Sequence, residues 1–127
     1  MAKRKYVFGA LEQAIMDVAW RLSTVTVRDV VDAIRGRQVA YTTVMTVMNR
    51  LVARQVLKRQ LNSSGAFMYR PRLSRETFCA EASRVAIDDI IRRYGAVAMA
   101  QFIDRLDRVP NDKLAELRHR LRSERKR

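Results

Sequence analysis

Ala40-Tyr41-Thr42-Thr43-Val44-Met45-Thr46-Val47-Met48-Asn49-Arg50-Leu51 is the stretch on which the fold turns. Val44, Val47, Met48 and Leu51 recur at i, i+3, i+4 and i+7, which draws one apolar stripe along a helix running to about Gln55. The other face carries Thr42, Thr43, Met45, Thr46, Asn49 and Arg50, and no carboxylate. Hydroxyls, an amide and a guanidinium on one face suit a DNA major groove, where they meet base edges and phosphates while an apolar side chain meets a thymine methyl. An ordinary amphipathic helix with a solvated polar face has the same pattern. The neighbouring elements decide between the two.

Upstream, Phe8, Leu11, Ile15, Val18 and Leu22 keep a spacing of three and four, with Ala19 and Trp20 widening the stripe, so a first helix is expected from about Gly9 to Leu22. Ser23 to Val25 reads as a short extended piece. Thr26, with Asp29 three residues on, has the form of a capping box, and Val27, Val30, Val31 and Ile34 stripe a second helix that Gly36 is expected to end. Arg37 to Ala40 then connects to the helix quoted above. Downstream the period changes. Val56 to Leu61 and Phe67 to Arg70 read as two strands around the turn Asn62-Ser63-Ser64-Gly65. Three helices followed by a basic hairpin describe a winged helix-turn-helix. The wing cations Lys58, Arg59, Arg70 and Arg72 are expected to face phosphate.

Charge supports a polyanionic partner. The chain of 127 residues holds 26 Lys and Arg against 13 Asp and Glu, a net +13. Residues 1–72 hold 13 basic and 4 acidic side chains, net +9, against 13 and 9, net +4, in residues 73–127. The first part is therefore the expected polyanion-binding surface. Hydrophobic content of 48% allows a real core. Lys3, Arg4 and Lys5 are not followed by a secretory apolar core, since Glu12 and Asp17 interrupt it, and nothing approaches the roughly 18 apolar residues of a bilayer span. No membrane insertion and a cytoplasmic location are expected. Cys79, the one cysteine, excludes an internal disulfide and a cysteine-based zinc site; it is expected to be a buried packing thiol. No cofactor is expected.

Beyond Pro71 the sequence is helical. Ser74 can cap a fourth helix carrying Phe78, Val85, Ile87, Ile90, Ile91 and Tyr94, which Gly95 stops. Met99, Phe102, Ile103 and Leu106 stripe a fifth, and Pro110-Asn111 open a sixth with Leu114, Leu117 and Leu121 on one face. Arg122 to Arg127 are expected to fray. Three helices in about 50 residues bury little by themselves. Ile87, Ile90, Ile91, Tyr94, Met99, Phe102, Ile103 and Leu106 are thus expected to face a second copy of the chain, with folding back on the first domain as the competing arrangement. The expected architecture is mainly α with a small hairpin wing: a winged-helix DNA-binding domain over 1–72 and a helical dimerisation domain over 73–127.

The chain resembles the BlaI/MecI/CopY family of bacterial transcriptional repressors along nearly its whole length. The resemblance is carried by Leu11-Glu12, Val18-Ala19-Trp20, Val27-Arg28-Asp29-Val30, the block from Ala40 to Leu51, and Tyr69-Arg70-Pro71; Leu114-Ala115-Glu116-Leu117-Arg118 adds a generic string. It implies a homodimeric repressor whose winged helices read two halves of a palindromic operator on double-stranded DNA. In the beta-lactamase branch a membrane sensor triggers proteolysis of the repressor at an Asn-Phe bond; the matching pair here is Gln101-Phe102, the candidate cleavage site. The metal-binding cysteine cluster of the copper branch has no counterpart. Gln55 stands where many relatives have Gly before the wing, so it must accept positive φ or change the turn.

Two other function classes compete with this reading. For an enzyme, His119 lies among Arg118, Arg120 and Arg122, and Asp88 and Asp89 point about 100° apart on a helix, so neither makes a catalytic pair. No phosphate loop or nucleophile elbow is present. A non-specific architectural DNA- or RNA-binding protein fits the charge alone. Its stacking platform is missing, because Tyr6, Phe8, Trp20, Phe67 and Tyr69 are spread over separate elements.

Overall fold

The structure, a computed structural model, describes residues 5–125. Lys3 and Arg4, and Lys126 and Arg127 of the charged end, lie outside the described residues. The elements are α1 (Ala10–Leu22), α2 (Val27–Ala33), a 3-10 turn (Arg35–Arg37), α3 (Tyr41–Ala53), β1 (Leu57–Leu61), β2 (Phe67–Pro71), α4 (Arg75–Tyr94), α5 (Ala96–Asp107) and α6 (Asn111–Arg125). The expected fold class is the observed one. No helix among the described residues is long and apolar enough to cross a membrane.

Local chemistry explains most boundaries. Thr26 caps α2 by accepting from the Asp29 N–H at 3.1 Å, while the Asp29 carboxylate accepts from the Thr26 N–H at 2.9 Å. Ser74 caps α4, its Oγ accepting from the Thr77 N–H at 3.1 Å. At Gly95 the chain takes φ 61°, ψ −138°, a region closed to residues with a Cβ, so α4 stops and α5 starts at one residue. The reversal after α2 differs from expectation. Gly36 lies inside the 3-10 turn, and Gln38 takes the left-handed conformation, φ 53°, ψ 46°. The acidic and apolar α2 stripe ends at Ala33, and the extra turn moves the reversal two residues on. Ser23 likewise has φ 71°, ψ −45°, and the Thr24 N–H reaches back to the Leu22 carbonyl at 2.8 Å, a γ-turn that sends the chain into Val25.

The first compact unit has its core where α1, α2, α3 and the hairpin meet: Ile15, Met16, Val30, Val44, Met48, Leu51, Leu57 and Tyr69 are all essentially inaccessible. Each buried side chain of this size stabilises by roughly 1.5–3 kcal/mol relative to exposure. Val47, assigned to the same stripe, is half-buried, and Leu22 is exposed. Val25 pairs with Tyr69 through two backbone bonds of 2.9 and 2.7 Å, adding a one-residue third strand beside the hairpin.

This unit extends to Val85, past the division expected at Arg72. The reason is Phe78, on the first turns of α4 and 5% exposed, whose ring meets Phe8 at 5.1 Å, Tyr6 at 5.3 Å and Trp20 at 5.4 Å. The Trp20 indole N–H donates to the Leu73 carbonyl at 3.0 Å, and the Tyr6 hydroxyl to Glu81 at 2.5 Å. Three of the aromatics that looked dispersed in the sequence, Tyr6, Phe8 and Trp20, therefore converge on Phe78, but into a core, while Phe67 stays exposed on the wing.

Among the described residues of the second unit, from Ala86, only Ala98 is buried. α6 continues through Arg125, so Arg122 to Arg125, expected to fray, are helical. Cys79 is exposed, not buried as expected. Phe78 takes the inward position on that turn of α4, and the next residue on a helix points about 100° away.

Candidate nucleic-acid interface

The α3 helix displays what its pattern foretold. Val44, Met48 and Leu51 are buried, and Thr42, Thr43, Met45, Thr46 and Arg50 are exposed on the opposite side. The Thr46 hydroxyl donates to the Thr42 carbonyl at 2.9 Å, leaving its oxygen as an acceptor. Asn49 differs from the rest. It is half-buried, and its Oδ1 accepts from the Tyr69 hydroxyl at 2.8 Å and from Arg59 Nη1 at 3.0 Å. At the start of the helix the Arg28 guanidinium lies 4.9 Å from the Tyr41 ring centre, joining α2 to α3.

The end of α3 is shaped by Gln55, which accepts positive φ (61°). The Val56 N–H bonds the Leu51 carbonyl and the Gln55 N–H the Val52 carbonyl, both at 2.9 Å. This is a Schellman cap, with Val56 and Leu51 buried together beneath it. Arg54, the preceding residue, ion-pairs with Glu12 and donates to the Val7 carbonyl at 2.8 Å. The other Glu12 oxygen accepts from the Gly9 N–H at 2.8 Å. One carboxylate thus caps α1 and clamps the carboxy-terminal end of α3. Sequence reasoning missed this function of Glu12; the Gly9-x-x-Glu12 spacing ahead of an apolar run was its one local signal.

In the hairpin, Lys58 pairs with Arg70, Arg59 with Tyr69 and Leu61 with Phe67. Alternation therefore splits the wing cations. Lys58 and Arg70 lie side by side on one face, a like-charge pair that disfavours the sheet until an anion approaches. Arg59 lies on the other face, its guanidinium 4.2 Å from the Phe67 ring centre and bonded to Asn49. At the tip, Asn62 Oδ1 accepts from the Ser64 N–H, the Ser64 hydroxyl and the Ala66 N–H at 2.8–3.0 Å, and Gly65 supplies φ 85°. Among the described residues, none of Arg28, Arg50, Lys58, Arg59, Arg70 and Arg72 forms an ion pair, whereas Arg35, Arg54 and Arg75 do. These six cations lie on α2, α3, the hairpin and its exit, and charge of one sign around the α3 face attracts an anion.

Residues 8–123, which include the α3 helix and the basic hairpin beside it, match the family of the penicillinase repressor. The chain belongs to the penicillinase repressor family. Among its relatives is the transcriptional regulator BlaI of Mycobacterium tuberculosis, in two strains, 38% identical over 104 residues that span 77% of this chain and 72% of the relative. The fold is also that of the YusO protein from Bacillus subtilis, with a TM-score of 0.51 at 10% identity, covering 98% of this chain and 79% of that one. The family and the BlaI relatives are named for the regulation of transcription, and this chain has the winged-helix fold.

The expected self-association residues all fall in α4 and α5. Ile87, Ile90, Tyr94, Met99, Phe102, Ile103 and Leu106 are exposed at 37–63%, and Ile91 is half-buried. Ile90, Tyr94, Val97, Ala98, Gln101, Phe102 and Arg105 line an apolar cleft of about 320 Å³. Gln101 and Phe102 sit within the continuous helix α5.

Proposed function

We propose that this protein is a homodimeric repressor that binds the two halves of a palindromic operator. Thr42, Thr43, Met45 and Thr46 read base edges, Arg50 and the wing residues Lys58, Arg59 and Arg70 hold phosphates, and the helices beyond Val85 join two copies. The observation that carries the reading is the exposed face of α3: five groove-compatible side chains without a carboxylate, backed by Val44, Met48 and Leu51 in the core. The dimer is supported by the second unit's large apolar side chains, too many to leave in water and aligned along α4 and α5. A single penicillinase-repressor winged helix presents one recognition helix, so two copies related by a twofold axis match a palindrome.

Release of the operator by cutting at Gln101-Phe102, with a membrane sensor or protease upstream, would remove the end of α5 and all of α6. Phe102 lines the apolar cleft, so such a cut acts on the dimer surface itself.

Footprinting on genomic fragments tests the proposal. A repressor of this kind protects discrete sites with twofold symmetry. An architectural protein coats the duplex evenly, and that outcome would replace the reading.

A further inference from the structure

We infer that Asn49 is a positioning residue that fixes the wing against the recognition helix, and that it does not read a base. The inference rests on the operator-binding reading above. It starts from the two donors that converge on Asn49 Oδ1: the Tyr69 hydroxyl at 2.8 Å and Arg59 Nη1 at 3.0 Å. A carboxamide oxygen has two lone pairs, and both are engaged. The paired contact by which an asparagine recognises adenine needs the oxygen and the amide nitrogen together. With its oxygen held inside the protein, Asn49 has lost half of that pairing.

What the oxygen holds is informative. Tyr69 is 1% exposed and is fixed from three sides: it is paired with Arg59 across the hairpin, bonded through its backbone to Val25, and bonded through its hydroxyl to Asn49. Arg59 is fixed from two, by Asn49 and by the Phe67 ring 4.2 Å away. A guanidinium ordered before DNA arrives loses less rotamer freedom on binding, and its other N–H donors remain for phosphate. Asn49 thus joins α3 and the wing into one rigid reader. Its removal should weaken every sequence alike, because the contact it supports is to the backbone of the duplex.

The test compares the wild type with Asn49→Ala, Tyr69→Phe and the double variant. In the free protein, ¹⁵N relaxation at the Arg59 side chain and the hairpin amides should show order parameters falling from about 0.85 toward about 0.6 in Asn49→Ala. Each protein is then used to select duplexes from a randomised pool, and its affinity for the wild-type consensus is titrated at one salt concentration. Asn49→Ala should keep the consensus and lose roughly threefold to tenfold in affinity, the worth of one net hydrogen bond. Tyr69→Phe should do the same although Tyr69 is buried and cannot touch DNA, and the double variant should lose less than the product of the two. An Asn49→Ala consensus that goes blank at one base pair, while Tyr69→Phe keeps it, would overturn the inference, as would an Arg59 equally ordered in both proteins. A wild type that selects no consensus would instead remove the operator reading, and the relaxation data would still decide whether Asn49 holds the wing.

Discussion

Cutting the chain after Arg72 takes away a side chain that the winged helix needs. Phe78 closes the core formed by Tyr6, Phe8 and Trp20, at ring distances of 5.1–5.4 Å and 5% exposure. Deleting a buried phenylalanine costs about 3–5 kcal/mol. The same cut removes Leu73 and Glu81, and with them the hydrogen bonds of Trp20 and Tyr6, each worth about 0.5–1.5 kcal/mol net. A domain of this size has a total stability of roughly 4–13 kcal/mol. A fragment ending at Arg72 should therefore be marginal, whereas one ending at Val85 should fold. At about 4–8 °C per kcal/mol, the shorter fragment should melt lower by on the order of 15 °C or more. Circular dichroism melts of both fragments, with urea titrations beside them, measure the difference. Midpoints within a few degrees of each other would refute the assignment of the first turns of α4 to the DNA-binding unit.

Three further outcomes follow from single sites. Thr46→Ala should weaken operator binding by about 1–3 kcal/mol and relax selection at one base pair; because its hydroxyl proton is directed to Thr42, the partner should be an exocyclic amine or a thymine methyl, which a base-substitution series identifies. Gln55→Gly should stabilise the fold by about 0.5–1 kcal/mol, since it relieves a positive φ of 61° that costs a residue with a Cβ about 1–2 kcal/mol, less the extra chain entropy of glycine; an unchanged or lower melting temperature would contradict this. Tyr6 has its pKa raised above the ordinary 10.0, first by its hydrogen bond to Glu81, then by burial and the Glu81 charge, with Arg84 opposing. A raised folded-state value means stability that is full below the unfolded pKa and declines as pH rises through the folded one. Unfolding measured from pH 9 upward should show this decline, and Tyr6→Phe should flatten it.

What the sequence disclosed was local. The Thr26-x-x-Asp29 box, the Asn62-Ser63-Ser64-Gly65 turn, the Gly95 break and the α3 stripe are all written within a few residues of where they act, so composition and period were enough to find them. What it hid lies between residues far apart in the chain. Glu12 meets Arg54 and Tyr6 meets Glu81 across dozens of residues, and nothing near either partner marks the pairing. The same holds for Asn49: periodicity placed it on the polar face correctly, but only the fold brings Tyr69 and Arg59 onto its oxygen. Cys79 shows the converse error. Its neighbours made the helix legible, yet which side of α4 turns inward depends on the aromatic cluster around Phe78, which no local pattern encodes. The division at Pro71 was read from a residue that ends a strand, while the compact unit ends where aromatic packing stops.

Two copies gripping one symmetric site fix a stoichiometry, which titration reads. The full-length chain would be titrated, at one fixed salt concentration, against a symmetric duplex it has itself selected and against one half of that duplex. Two chains should bind per full site, with an affinity exceeding that for the half-site by a factor of roughly 10²–10⁴, the effective-concentration gain of a linked second site. One chain per duplex, or equal affinity for the whole and the half, would contradict it.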